Sequence, residues 1–143
     1  MNNQMELTFL SRAENEAFAR MVISAFLVQV NPTMSMISEV RTAVSEAVTN
    51  AVVHGYDGAF GKIVLRAELS GDFVLTIDVE DFGCGIADVR QAMQPFYTTQ
   101  PERERTGIGF SLMQSFMDDV KVYSSPGSGT TVRLIKRIGE ENG

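Results

Sequence analysis

The chain reads as an α/β domain on three observations. Five short stretches alternate apolar and polar residues, two long stretches keep helical periodicity, and two turn-forming segments each join a pair of the short stretches. The expected architecture is a two-layer α/β sandwich, a mixed sheet with helices on one face. With 143 residues, 44% of them hydrophobic, there is material for one core and not for two, so residues 1–143 are expected to form a single domain.

Residues 5–10 alternate Met5, Leu7 and Phe9 against Glu6 and Thr8, the pattern of a half-buried strand. Ser11-Arg12-Ala13-Glu14 has the spacing of a capping box and opens a helix running to about Val30. Phe18, Met21, Val22, Ala25, Phe26 and Gln29 keep helical spacing along it, and Asn31-Pro32 ends it, because the residue before proline avoids the helical region. Its apolar content exceeds one core stripe; the surplus is expected to be buried in a small domain, with a partner surface as the alternative. In the second helix, residues 35–54, Ile37, Val40, Val44, Ala47, Val48, Ala51 and Val52 fall on one arc, while Glu46 and Asn50 lie together on the other. An acid and an amide on an otherwise apolar helix either point to solvent or meet a ligand, since burial without a partner is costly.

A glycine-rich loop, residues 55–61, leads to strands at 62–69 and 73–80 around Ser70-Gly71-Asp72, with Leu75, Ile77 and Val79 on one face. Gly61-Lys62 is not the end of a phosphate-binding Walker loop: Tyr56 stands where that motif needs glycine and Ile63 where it needs Ser or Thr. The second strand ends in Asp81-Phe82-Gly83-Cys84-Gly85. Alternate glycines let the backbone turn sharply and a flat ligand approach, and the Asp81 carboxylate can accept from an exocyclic amine such as that of adenine. Alone, such a turn more often just ends a strand. Asp81-Phe82-Gly83 is not the protein-kinase magnesium triplet, because the other parts of that machinery are missing from so short a chain.

Residues 88–93 read as one or two helical turns, and residues 95–106, with two prolines and the run Glu102-Arg103-Glu104-Arg105, as a long loop of the lid type. Thr106-Gly107-Ile108-Gly109 then opens a helix to about Met117, with Leu112, Met113 and Phe116 as its buried positions. Free N–H groups at a glycine-rich helix start suit an anion. Strands at 120–124 and 130–138 close the chain around Pro126-Gly127-Ser128-Gly129, and residues 140–143 are expected to fray.

The net charge of -6 argues against direct nucleic-acid binding, which wants a basic stripe, and favours a basic protein partner. No apolar run approaches the ~20 residues of a membrane span and residues 1–10 have no basic region ahead of an apolar core, so a cytoplasmic location without membrane attachment is expected. One cysteine, Cys84, and one histidine, His54, exclude an internal disulfide and a Cys- or His-based metal centre.

In order and spacing, Glu46-x-x-x-Asn50 on a helix, Asp81-x-Gly-x-Gly after a strand, a threonine-bearing lid and Gly107-x-Gly109 at a helix start resemble the GHKL ATPase/kinase superfamily. The resemblance spans residues 35–133 and implies its Bergerat nucleotide-binding fold. Ser45-Glu46-Ala47-Val48-Thr49-Asn50-Ala51-Val52-Val53-His54-Gly55-Tyr56, Pro95-Phe96-Tyr97-Thr98-Thr99 and Glu104-Arg105-Thr106-Gly107-Ile108-Gly109 narrow it. They resemble the stand-alone serine kinases that are also anti-sigma factors, in the Bacillus-type sporulation branch that restrains a sigma factor of the sigma F type. The stress-response anti-sigma kinases are the nearest alternative, and an ATP-liganded binding module without phosphotransfer is a further one.

The resemblance implies ATP or ADP and Mg2+ as ligands. Asn50 matches the residue that coordinates Mg2+, and Glu46 the residue that serves as general base or orients the nucleophile. Asp81 matches the acceptor for the adenine amine, with Gly83 and Gly85 shaping the turn and Thr130 supplying a hydroxyl that reaches adenine directly or through water. Thr98, Thr99 and Arg105 fall in the lid, Arg105 being able to neutralise charge on the transferred phosphoryl group. Thr106, Gly107, Ile108 and Gly109 form the phosphate-facing helix start. It further implies a sigma factor and a serine-bearing anti-anti-sigma protein as partners, and a homodimer.

Overall fold

The computed structural model describes residues 2–56, 59–93 and 109–139. The elements are β1 (Asn3–Leu10), α1 (Glu14–Leu27), α2 (Met34–Asn50), β2 (Lys62–Leu69), β3 (Val74–Asp81), α3 (Val89–Ala92), α4 (Gly109–Phe116), β4 (Asp119–Ser124) and β5 (Thr130–Arg137). The five strands make one sheet in the order β1-β2-β3-β5-β4.

Every neighbouring pair in the sheet is antiparallel, which corrects the expectation of a mixed sheet. The connections explain it. Two helices rather than one separate β1 from β2, so the chain reverses three times and Lys62 starts opposite Leu10, where β1 stopped. β2–β3 and β4–β5 are adjacent in sequence and pair directly. Only the crossover from β3 through α4 to β4 preserves direction, and there β5 is inserted between the two strands.

The strand faces sort as the alternation predicts. Phe9, Ile63, Leu65, Leu75, Ile77, Val79, Val132 and Leu134 are buried and join Ile23, Leu27, Val40, Val44, Val48 and Met113 in one core cluster. On the opposite face Glu6, Arg66, Asp78, Arg133 and Lys121 stand in register across all five strands. Arg66 bonds Glu6 at 3.1 Å and Glu80 at 2.8 Å, and Arg133 makes a two-pronged contact with Asp78 at 2.8 and 2.9 Å. Signs alternate from Glu6 to Arg133, with the like-charged Lys121 at the edge, and such a charged face favours a solvated surface over stacking, while each surface pair adds only ~0–1 kcal/mol.

Two expectations for α1 are overturned. Ser11 does not cap the helix, which starts after Ala13 without a side-chain cap. Instead Ser11 is buried, and it exchanges two bonds with Gly61: its N–H donates to the Gly61 carbonyl at 2.8 Å and its Oγ accepts from the Gly61 N–H at 2.9 Å. The buried stripe is Ala19, Ile23 and Leu27, which leaves Phe18 50%, Met21 66% and Val28 70% exposed. The apolar surplus is therefore on the surface. A 3-10 turn, Val28–Val30, finishes the helix, and Asn31 at φ 51 turns the chain out of it.

The second helix packs much as its periodicity predicts, with Val40, Ala43, Val44, Ala47 and Val48 buried and the Thr33 side chain accepting from the Met36 N–H at 3.1 Å. In α4, Met113 is buried while Leu112 and Phe116 are half-buried; Met117, just past the helix, takes the inner position. Lys136 donates to the Phe116 carbonyl at 2.6 Å and so satisfies the helix end. Among the described residues no helix is long and apolar enough to cross a membrane.

Candidate functional site

Helix α2 does not simply stop. From Ala51 to Gly55 it widens into a π turn, a departure that is frequent at functional sites and shifts side chains by one place relative to the regular helix. Glu46 and Asn50, one helical turn apart, are both half-buried rather than solvated. The Asn50 Nδ2 is fully buried and has no hydrogen-bond partner among the described residues. An orphaned buried amide costs free energy in the absence of a ligand. Beside Glu46, the Ser45 hydroxyl donates to Glu16, fastening α2 to α1 at this level.

The residues present fit Mg2+ held chiefly by a ligand's own oxygens. No group of three or more His, Cys, Asp or Glu side chains able to hold a metal occurs among the described residues. The unpartnered Asn50 Nδ2 can only donate, so it suits an acceptor such as a phosphate oxygen or a metal-bound water, while the Oδ1 of the same amide, with a carboxylate one turn away, is the atom that would ligate a hard ion that keeps several waters and is bound largely through phosphate.

Asp81 ends β3 and is only 5% exposed. Burial raises its pKa above the ordinary 3.8, opposed by backbone N–H groups of Gly83 and Thr130 and reinforced by the nearby Glu80 charge. Its Oδ1 accepts from the Gly83 N–H at 3.0 Å. The next groups along the loop are tied as well: Phe82 N–H donates to the Tyr56 hydroxyl at 2.8 Å, and Cys84 N–H to the Gly55 carbonyl at 2.7 Å. Tyr56 in turn donates to the Lys62 carbonyl, so one phenol clamps the start of β2 to the end of β3.

The alternate glycines are explained by backbone packing. A Cβ on Gly83 would lie 1.6 Å from the Gly55 carbonyl oxygen, and one on Gly85, at φ +76, 2.0 Å from that of Ser125. The loop is thus wedged between the end of the π turn and the β4–β5 turn, a role distinct from admitting a flat ligand. A Cβ on Gly55 would touch the Asp81 carboxylate at 3.0–3.2 Å, so the helix bearing Glu46 and Asn50 runs within five residues into contact with Asp81.

Thr130 is the first residue of β5 and the register partner of Asp81. Its hydroxyl lies 2.8 Å from that of Ser124, which accepts from the Ile86 N–H at 2.7 Å and donates to the Gly129 carbonyl at 2.9 Å. Asp81, Ser124, Gly129 and Thr130 share a depression of about 270 Å³ at this end of the sheet. The corner is rich in acceptors and suits a ligand that brings N–H groups.

Of the remaining expected site residues, Gly109 is buried as the first residue of α4. The expected lid and helix start, with Thr98, Thr99, Arg105, Thr106, Gly107 and Ile108, lie outside the described residues, as do residues 140–143. His54 sits in the π turn and its carbonyl accepts from the Cys84 thiol at 3.1 Å. Sequence reasoning missed Gly55, Tyr56, Ser124 and Gly129 as parts of the site. A glycine and tyrosine directly after the functional helix, and the Ser-Pro-Gly-Ser-Gly turn, were the available signals.

Residues 9–136 match the family model described as a histidine kinase-like ATPase domain. The chain is 52% identical over 139 residues to the anti-sigma F factor of Thermoanaerobacter sp. (strain X514), covering 97% of this chain and 96% of that one. It is 46% identical over 141 residues to the anti-sigma F factor of Bacillus subtilis (strain 168), covering 98% and 96%. A crystal structure of RsbU and RsbW domains from Mycobacterium tuberculosis superimposes with a TM-score of 0.69 at 21% identity, over 95% of this chain and 32% of that one; it speaks for the fold.

Proposed function

Because this chain belongs to the histidine kinase-like ATPase domain family, and its near full-length relatives are anti-sigma F factors, we propose that it is an anti-sigma factor that is also a protein serine kinase. It binds a sigma factor of the sigma F type, and uses Mg-ATP to phosphorylate a serine on an anti-anti-sigma protein. The observation that carries the reading is the continuity of the site: Asn50, with its unpartnered buried amide, leads through a π turn to Gly55 packed on the Asp81 carboxylate.

In this reading Asp81 accepts from the adenine amine, Thr130 lies beside it, and Asn50 holds Mg2+. Bound Mg2+ would screen and orient the phosphates. Glu46 receives the proton of the attacking serine hydroxyl, one turn from Asn50. Arg105 counters charge on the transferred group, with Thr98, Thr99, Thr106, Gly107, Ile108 and Gly109 around the phosphates. ADP remains as the product. The exposed Phe18 and Met21 on α1, with Val28 in the turn that follows it, support a protein-facing surface for a sigma factor, an anti-anti-sigma protein or a second copy in a homodimer. Such an assembly acts in the cytoplasm.

The test is phosphoryl transfer from labelled ATP with Mg2+ to a serine-bearing anti-anti-sigma protein, followed by identification of the modified residue. Phosphoserine on that protein is expected. Bound ATP without transfer would leave a nucleotide-liganded binding module, and phosphohistidine would indicate a two-component type of kinase; either contradicts the proposal.

A further inference from the structure

Three groups meet the Ser124 hydroxyl, and their chemistry fixes where its proton lies. A hydroxyl has one proton to give and two lone pairs to accept with. The Ile86 N–H, 2.7 Å away, can only donate and takes one lone pair. The Gly129 carbonyl, at 2.9 Å, can only accept and takes the proton. What Ser124 has left for Thr130, at 2.8 Å, is a lone pair. The hydrogen between the two hydroxyls therefore belongs to Thr130, whose proton is committed to Ser124. Toward any ligand Thr130 turns lone pairs alone.

The surrounding backbone holds this polarity in place. Gly129, at φ +78, is packed so closely that a Cβ there would lie 2.2 Å from the Asp81 carbonyl oxygen, which restrains the carbonyl that receives the Ser124 proton. The loop carrying Ile86 is pinned through the Cys84 carbonyl, which accepts from the Gly127 N–H at 2.7 Å. Asp81, the register partner of Thr130, is an acceptor when ionised.

We propose that Ser124 is a specificity-determining residue of the base pocket: by consuming the Thr130 proton it makes Thr130, like Asp81, an acceptor-only group, so the pocket selects a purine with an exocyclic amine over one with a carbonyl at that position. This rests on the reading that Asp81 and Thr130 face the base of a nucleotide. Ser124 itself acts through Thr130.

The experiment compares ATP with ITP, in which a carbonyl replaces the amine, by titration calorimetry of the full chain in Mg2+. The parent protein prefers ATP. In Ser124→Ala the Thr130 proton is released to serve a carbonyl, and the ATP-to-ITP affinity ratio narrows by about three- to tenfold, mostly through tighter ITP binding. Ser124→Thr keeps the hydroxyl and the parent ratio. In a Thr130→Val background, Ser124→Ala changes the ratio no further, a result that general loosening of the loop would not give. Thr130→Val alone weakens ATP and leaves ITP unchanged, which tests the polarity without touching Ser124 should Ser124→Ala not fold. A parent preference for ATP with an unaltered ratio in Ser124→Ala, or a Thr130→Val loss confined to ITP, overturns this inference alone. A parent protein that binds ATP and ITP equally overturns the adenine reading together with it.

Discussion

The two ends of the site are built on opposite terms. At the Asp81 end, the N–H groups of Phe82, Gly83, Cys84 and Ile86 each have a fixed acceptor, in Tyr56, Asp81, Gly55 and Ser124. At the Asn50 end a buried amide nitrogen has no partner among the described residues, on a helix that has just left its regular winding. One end is complete before any ligand arrives, whereas the other is paid for by the ligand. Base-pocket variants should therefore change folding and selectivity together, and metal-end variants should change function while sparing the fold.

The largest effect is expected at Gly83. A Cβ there collides with the Gly55 backbone at 1.6 Å, and backbone cannot swing aside as a side chain can. Gly83→Ala should destabilise the fold by about 3 kcal/mol, within the range for overpacked sites, and abolish measurable ATP binding. Urea melts with ATP titration check it. Unchanged stability would mean that the wedge is not structural.

Next in size is Glu46→Gln, which keeps shape and removes the base. Single-turnover phosphorylation should fall by roughly 10²- to 10⁴-fold, while ATP affinity and sigma-factor binding stay near the parent values. Transfer at the parent rate would remove Glu46 from the mechanism; collapse of ATP affinity would make it a binding residue.

Smaller again are the effects of titrating or neutralising Asp81. Because its folded pKa is raised above 3.8 by burial, the folded chain holds this proton to higher pH than the unfolded chain does. The stability it adds is therefore present below the ordinary pKa and lost as pH rises through the folded value. Adenine recognition needs the carboxylate and runs the other way, weakening as pH falls through that same value. ATP affinity and apo stability should change in opposite directions across acid pH, and Asp81→Asn should flatten both curves. It should also shift base preference toward ITP by about ten- to a hundredfold, since the amide can offer a donor. Parallel pH curves would contradict the assignment.

Much of the fold could be read from local patterns. Leu75, Ile77 and Val79 alternate into the core, and Val40, Val44 and Val48 follow helical period, because burial on one face imposes those periods. Asp81, Glu46 and Asn50 stood out as candidates by motif spacing and Thr130 by the family resemblance, and the structure brings Asp81 and Thr130 into register. What stayed hidden depends on partners distant in sequence. Ser11 looked like a helix cap, yet pairs with Gly61, fifty residues on. Ser124 became part of the site only once Ile86 and Thr130 were placed beside it. The exposed stripe on α1 was misassigned because Phe18 and Met21 are apolar, and period alone cannot say which of two apolar stripes faces inward. A mixed sheet was expected because residue patterning does not give strand order: β5 lies between β3 and β4, so the one crossover that preserves direction joins strands that are not neighbours.

The contrast between a finished base pocket and an unfinished metal end is tested most directly by Asn50→Ala. Removing an amide whose nitrogen is buried without a partner should leave the thermal midpoint of the ligand-free protein unchanged or slightly raised. ATP affinity should drop about tenfold or more in Mg2+ and hardly at all in EDTA, since only the metal-linked part is lost. The measurement is a titration of ATP into parent and variant in both buffers, with melts of the same preparations. A variant that loses ATP equally in Mg2+ and EDTA, or whose ligand-free fold is clearly weakened, would contradict the account.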